Sequence, residues 1–258
     1  MSYRVVFIGA GNLATRLAPE LKRKGCIIEQ IYSRTFKSAN QLAVRLRTHY
    51  TTTPCEIMPD ADIYFIALKD SAWEEVLPYA AFGNSLVVHC SGGMPMASLV
   101  KYAKNTGVFY PLQTFSKNIP VKFDQIPVFI EANSKENENK LLEIAGKISG
   151  KVTVMDSESR LYLHVSAIFA CNFVNHFYTI ASDILKKKDI SFKVLHPLIL
   201  ETAKKIQDAD PAAVQTGPAV RFDRNIISAH LNALKSFPEF REIYKNMSDS
   251  IFNYHKSR

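Results

Sequence analysis

The apolar positions follow two different periods. In the first half, short solid apolar runs alternate with stretches in which an apolar residue recurs every fourth position. Val5-Val6-Phe7-Ile8 is a run of the kind expected for a strand buried on both faces, and Leu13, Leu17 and Leu21 then place one apolar face on a helix ending near Gly25. The same reading predicts strands at 27–32, 50–52, 63–68, 85–90, 108–110, 128–131 and 151–155, with helices over 38–46, 73–79 and 137–148. After Asp156 the strand signals stop, and helical patterns fill 157–187, 192–207, 221–236 and 238–255. Repeated strand–helix units imply an α/β, doubly wound, mostly parallel sheet of the Rossmann type, followed by an all-helical C-terminal domain. The expected division is 1–156 and 157–258, with no low-complexity linker between.

The first strand runs directly into Gly9-Ala10-Gly11-Asn12-Leu13-Ala14. In a strand–turn–helix context, G-x-G-x-x-A is a dinucleotide fingerprint. Gly9 makes the tight turn, Gly11 lets the backbone approach a pyrophosphate, and Ala14 lets helix and strand pack closely, while the free N–H groups and the helix dipole favour negative charge. The second strand ends in Ser33-Arg34-Thr35, with Lys37 just beyond, where an NAD-selective site usually carries a carboxylate. Two hydroxyls and a guanidinium suit a 2′-phosphate, so the expected cofactor is NADP; the plainer alternative is that Arg34 starts a helix in solvent.

Composition narrows the setting. The 258 residues are 47% hydrophobic, ample for a substantial core. Four scattered cysteines (Cys26, Cys55, Cys90, Cys171) show no paired spacing, which argues for reduced thiols, a cytoplasmic location and no structural zinc. No signal peptide is visible. The net charge is +8, but the basic clusters at 22–24 and 186–188 fall at helix C-termini and no nucleic-acid-reading motif accompanies them, so the excess suits small anionic ligands rather than nucleic acid. Residues 161–185 are long and apolar enough to raise a membrane span, yet His164, Ser166, Asn172, Asn175, His176 and Asp183 interrupt them. A helix buried in a core or dimer interface fits better.

Four further segments carry chemistry. Leu68-Lys69-Asp70 and His89-Cys90-Ser91-Gly92-Gly93 end strands and should line the ligand crevice. Asp70 serves equally as an N-cap, and His89 is either a proton-transfer group or a histidine satisfied inside the core. The glycines after Ser91 would admit the nicotinamide end of a dinucleotide. His164, Ile168, Asn172 and His176 recur every four residues and form one stripe, which either bonds to neighbouring helices or meets a ligand. Finally, Thr216 is placed to cap a helix beginning near Pro218, with Arg221 one turn in and able to hold a carboxylate; an ordinary structural helix start is the alternative.

With these segments in view, VVFIGAGNLA, the SRT after the second strand and the helical C-terminal half resemble the β-hydroxyacid dehydrogenase and pyrroline-5-carboxylate reductase superfamily. VVHCSGG, YPLQTF, LHVSAIFACNFVNH and TGPAVRFDRNIISAHL resemble more closely a bacterial branch of Rossmann-like NADP oxidoreductases whose helical C-terminal domain has no known function. The resemblance covers nearly the whole chain. It implies pyrophosphate contacts from Gly9, Gly11, Asn12, Leu13 and Ala14, a 2′-phosphate site at Ser33, Arg34 and Thr35, and dimerisation through the helical domain. This chain departs from such relatives at Lys69, where proline is common, and at Tyr110, where histidine is common. It also lacks the lysine–asparagine pair of the hydroxyacid dehydrogenases; His164 falls in the lysine's region and Ile168 where the asparagine would be. The resulting expectation is an NADP(H)-dependent hydride transfer on a small anionic carbonyl or imine, or the matching alcohol or amine, in an interdomain cleft. His164 or His89 would move the proton, Asn172 and Ser91 would orient the reacting group, and Arg221 would pair with substrate charge. The rival class is an NADP-responsive scaffold without turnover.

Overall fold

The computed structural model of the protein describes residues 2–257 and divides into two compact units, the first ending at Cys171 and the second beginning at Asn172. In the first, eight strands form one sheet: β1 (Arg4–Ile8), β2 (Ile27–Tyr32), β3 (His49–Thr51), β4 (Ile63–Ile66), β5 (Leu86–His89), β6 (Asn105–Pro111), β7 (Val128–Ala132) and β8 (Val152–Val154). Their order is β3-β2-β1-β4-β5-β6-β7-β8. The order reverses between β1 and β4, which makes that point the crevice for a ligand. Every neighbouring pair is parallel except β6 and β7, which run antiparallel. The connection at 112–127 contains only a short 3₁₀ turn, so it returns the chain without the helical crossover a parallel pair needs.

Helices α1 (Asn12–Arg23), α2 (Phe36–Leu46) and α4 (Lys135–Ile148) cover one face; the other is closed around α3 (Trp73–Val76) and short 3₁₀ turns. The strands are apolar on both sides because both sides are covered: Val5, Phe7, Ile63 and Phe65 enter one core layer, and Val6, Ile8, Tyr64 and Ile66 the other. Phe7 stacks on Phe65, which meets Phe109 edge-on, filling the layer across three strands.

The change from sheet to helix comes after β8, but packing carries the first unit past residue 156. Helix α5 (Ser157–Ala167) belongs to it because Arg160, 1% exposed, reaches back under the sheet edge to Glu131 on β7. The continuous helix expected over 157–187 is interrupted: Ile168–Phe173 winds as a π-helical turn before α6 (Val174–Lys186). The wider turn changes the angular step between residues, so the every-fourth-residue stripe does not continue as a single α-helical face. Burial of this helix is also corrected, since Tyr162 is 70% and Phe169 65% exposed within the chain.

The second unit adds α7 (His196–Asp208), α8 (Arg224–Ala233) and α9 (Pro238–Lys256) to α6. The expected helix start at Thr216–Pro218 does not form. Residues 218–222 are turns, and α8 begins three residues after Arg221, capped by Asp223, whose Oδ1 accepts from Ile226 N–H at 3.2 Å. Among the described residues no helix is long and apolar enough to cross a membrane.

Candidate active site

The turn after β1 is built by exclusion. Gly9 takes φ +124°, and a Cβ there would sit 2.4 Å from the carbonyl oxygen of Ala67 at the end of β4. Only glycine fits both the angle and the space. Its N–H bonds to Tyr32 O at 2.8 Å, locking the turn to the end of β2. Gly11 is the N-cap of α1 and supplies no side-chain acceptor; nor does the first turn hold an acid. A Cβ on Gly11 would meet nothing nearer than Ala67 O at 3.9 Å. The opening N–H groups of α1 are therefore left to an acceptor from outside, over ground the sequence keeps clear. Asn12 is exposed and Leu13 half-buried there, while Ala14 is fully buried against the sheet.

Ser33, Arg34 and Thr35 lie at the end of β2. Thr35 is the N-cap of α2 but makes no side-chain cap bond, and no acid stands in that helix's first turn. Arg34 is exposed, its Nη1 3.8 Å from Glu75 Oε2, a loose pair in water. Glu29, the nearest acid in sequence, is turned away: its Oε1 accepts from Arg4 Nε at 2.7 Å. No carboxylate from β2 occupies the place that would reject a phosphate.

At the ends of β4 and β5 the expected residues gather. Leu68 packs against the apolar layer around Trp73, and Asp70 does not cap a helix; its Oδ2 accepts from Ser91 Oγ at 3.3 Å. Ser91 Oγ also accepts from Met94 N–H at 3.2 Å, so the hydroxyl is engaged within its own loop. His89 is 0% exposed, with Nδ1 accepting from Ser91 N–H at 3.2 Å and its ring 5.3 Å from that of Trp73. Burial, aided by the nearby Arg160 charge, pushes its pKa down to about 3. The imidazole is neutral and enclosed, yet its Nε2 is buried without a hydrogen-bond partner among the described residues, so it is not the fully satisfied core histidine of the alternative reading.

His164 stands differently. It reaches from α5 over Gly92, half-buried, with Nδ1 3.0 Å from the hydroxyl of Tyr110 at the end of β6. A Cβ on Gly92 would lie 2.5 Å from that Nδ1 and 2.9 Å from Tyr110 Cζ, so the glycine makes room for the imidazole itself. One turn earlier, Arg160 pairs through Nη1 with Glu131 and donates through Nη2 to Met94 O at 2.7 Å and Ser157 Oγ at 3.1 Å. Sequence reasoning passed over Arg160 and Glu131 altogether. A lone arginine on a helix gives no sign that it will be buried, and its partner is 29 residues away.

The whole chain is 45% identical to a protein from Bacteroides fragilis described as a "putative NADP oxidoreductase", over 98% of each chain and with a TM-score of 0.94. This chain belongs to that NADP oxidoreductase family. A family model described as "NADP oxidoreductase coenzyme F420-dependent" matches residues 4–93, and one for a domain of unknown function (DUF2520) matches 126–251. The fold extends to more distant structures: a 1-pyrroline-5-carboxylate reductase from Streptococcus pyogenes (14% identity, TM-score 0.65, 98% of this chain and 99% of that one) and an imine reductase from Myxococcus stipitatus in complex with NADP+ (15%, 0.66, 98% and 93%). No curated protein matches the sequence significantly.

Two expected site residues of this family member lie in the second unit. Asn172 is exposed within the π-helical turn, and Arg221 is exposed in the turn before α8. The neighbouring Thr216-Gly217-Pro218-Ala219 does not form an anion-holding helix start. It borders a largely apolar cavity of about 360 Å³ together with Phe177, Ile180, Tyr244 and Met247.

Proposed function

We propose that this NADP oxidoreductase binds NADP(H) at the β1–α1 turn and acts on a small anionic carbonyl or imine, or the matching alcohol or amine. When bound, the cofactor supplies or accepts a hydride. The observation that carries the reading is the half-buried imidazole of His164, seated on Gly92 and bonded to Tyr110 in the unit that also bears the cleared helix N-terminus. That N-terminus fits a pyrophosphate because it lacks both a capping side chain and an acid. The end of β2 fits a 2′-phosphate because Arg34 is exposed and only loosely paired. The proton belongs to His164 rather than His89, since a buried ring with a pKa of about 3 does not exchange protons near neutrality. Ser91 keeps the loop beneath that ring in shape through Asp70 and Met94. In the second unit Asn172 and Arg221, both exposed, are the side chains we propose for orienting a substrate and pairing with its charge.

Fluorescence titration should show NADPH binding about 10-fold or more tighter than NADH, with Arg34→Ala erasing most of the preference, as expected for one charge-assisted phosphate contact. NADPH absorbance against a panel of oxo acids and cyclic imines should then reveal turnover. His164→Ala should reduce it about 100-fold or more, while Arg221→Ala raises KM for anionic substrates. Tighter NADH binding overturns the cofactor reading, and full turnover by His164→Ala overturns the proton assignment. Binding without turnover on any substrate would favour a scaffold.

We further infer a homodimer through the helical unit, with a second copy of this chain covering its apolar side chains. The support is that Val194, Leu198 and Leu200, close together along the chain, are each more than 60% exposed in a unit that encloses few apolar side chains of its own. Sedimentation should give a dimer for the wild type and a monomer for Leu198→Glu combined with Leu200→Glu; a monomeric wild type would reject the assembly.

A further inference from the structure

We infer that Tyr110 is a positioning residue: its hydroxyl donates to Nδ1 of His164 and holds the imidazole in the tautomer that carries its hydrogen on Nε2. The inference rests on the assignment of His164 as the proton-transfer group and deepens it by naming which nitrogen does the work. Three observations bear on it. The Oη–Nδ1 separation is 3.0 Å, and the rings meet edge-on at 5.9 Å and 81°, so the phenol addresses the rim of the imidazole and not its face.

The direction of the bond follows from satisfaction. Tyr110 is 8% exposed, and its hydroxyl makes no other hydrogen bond to a described residue. If Nδ1–H were the donor, the enclosed phenolic proton would be left without an acceptor; with the phenol donating, both groups are satisfied by one bond. Burial also raises the Tyr110 pKa, and the Arg160 charge nearby does not reverse that, so the group is an O–H donor at neutral pH. Nε2, by contrast, makes no hydrogen bond to a described residue, which leaves the hydrogen-bearing edge free for an incoming acceptor.

Gly92 sets the third constraint. Its absent side chain admits the imidazole, because a Cβ there would fall 2.5 Å from Nδ1 and 2.6 Å from Cγ, and Gly93 lies 3.7 Å from Cδ2 by the same construction. The ring is thus bounded beneath by backbone and at one edge by the phenol. Arg160, four residues earlier on α5, ties the helix to Glu131 and Met94, so the Cα of His164 is fixed from the strand side as well. Backbone floor, phenol and anchored helix leave the imidazole one bonded orientation.

The test reads the tautomer directly. In full-length protein labelled with ¹⁵N-histidine, at a pH where the ring is neutral, a long-range ¹H–¹⁵N spectrum distinguishes protonated from unprotonated ring nitrogens, and loss of one pattern in His164→Gln assigns it. The wild type should show Nε2 protonated and Nδ1 bare. In Tyr110→Phe the two shifts should move toward each other as both tautomers become populated. Once a substrate is known, kcat should fall about 10-fold in that variant with the KM for NADPH unchanged. A wild-type Nδ1–H tautomer, or an unaltered pattern in Tyr110→Phe, overturns the inference. The wild-type spectrum needs no variant to fold. Absence of NADPH binding would instead strike the proposed function, leaving the tautomer result to stand on its own.

Discussion

The two units both leave apolar side chains open, but they differ in how many they enclose. In the sheet unit Val5, Phe7, Ile63, Phe65, Val88 and Phe109 are wholly enclosed, and the central strands find cover on both sides while the edge strands β3 and β8 stay largely exposed. In the helical unit the buried apolar residues are Ile180, Ala219 and Leu234, while Val194, Leu198, Leu200 and Ile206 remain open. Hydrophobic content alone therefore does not tell a finished core from an unfinished one; the topology that collects it does. A doubly wound sheet gathers its own residues from distant parts of the chain. Four helices with short turns do so only as far as their stripes face one another.

If that contrast holds, changes in the sheet unit cost more than like changes in the helical one, and urea denaturation can break it. Arg160→Met strands Glu131 beside the core and should cost about 3–5 kcal/mol. Gly9→Ala combines a forbidden angle with a collision against Ala67 and should cost about 3 kcal/mol, together with NADPH binding. The third effect depends on pH. His89 has its folded pKa depressed from 6.5 to about 3, so the unfolded chain takes up a proton first as pH falls. Stability is then lost between these values, by about 2 kcal/mol from pH 7 to pH 5 in the wild type, and His89→Asn should abolish that slope. In the helical unit Gly217→Ala meets a similar angle, φ +113°, but open space, and should cost about 1–2 kcal/mol. Lys186→Ala, which removes an exposed pair with Asp183, should cost less than about 0.5 kcal/mol. Equal losses for the two glycine changes would erase the contrast.

What the sequence disclosed follows the same line. Strands β1 and β4 were legible because a strand covered on both faces is apolar without interruption, and β2 showed through its apolar ends despite Glu29 and Gln30. The Gly9–Gly11 turn was legible because one short stretch carries its whole meaning. The antiparallel turn of β7 was not, since strand direction depends on how the connection travels and not on the strand's own residues. The π-helical turn escaped because α and π windings of one apolar segment share the same residue types. Tyr110 and His164 meet across 54 residues, and neither advertises the other. The one local hint was Gly92. The glycine after Ser91 did signal a close approach, but what approaches is a side chain of the protein itself.

The grip of Arg160 has a consequence for how this architecture can be remodelled. Because the guanidinium fastens the start of α5 to the sheet one turn before His164, the imidazole takes its station from the strands. The contacts of Arg160 with Glu131, Met94 and Ser157 all lie within the first unit, so none of them draws on the chain beyond Cys171. A set of variants confined to residues past 171 should therefore leave the Tyr110–His164 bond, and the imidazole signal that reports it, unchanged.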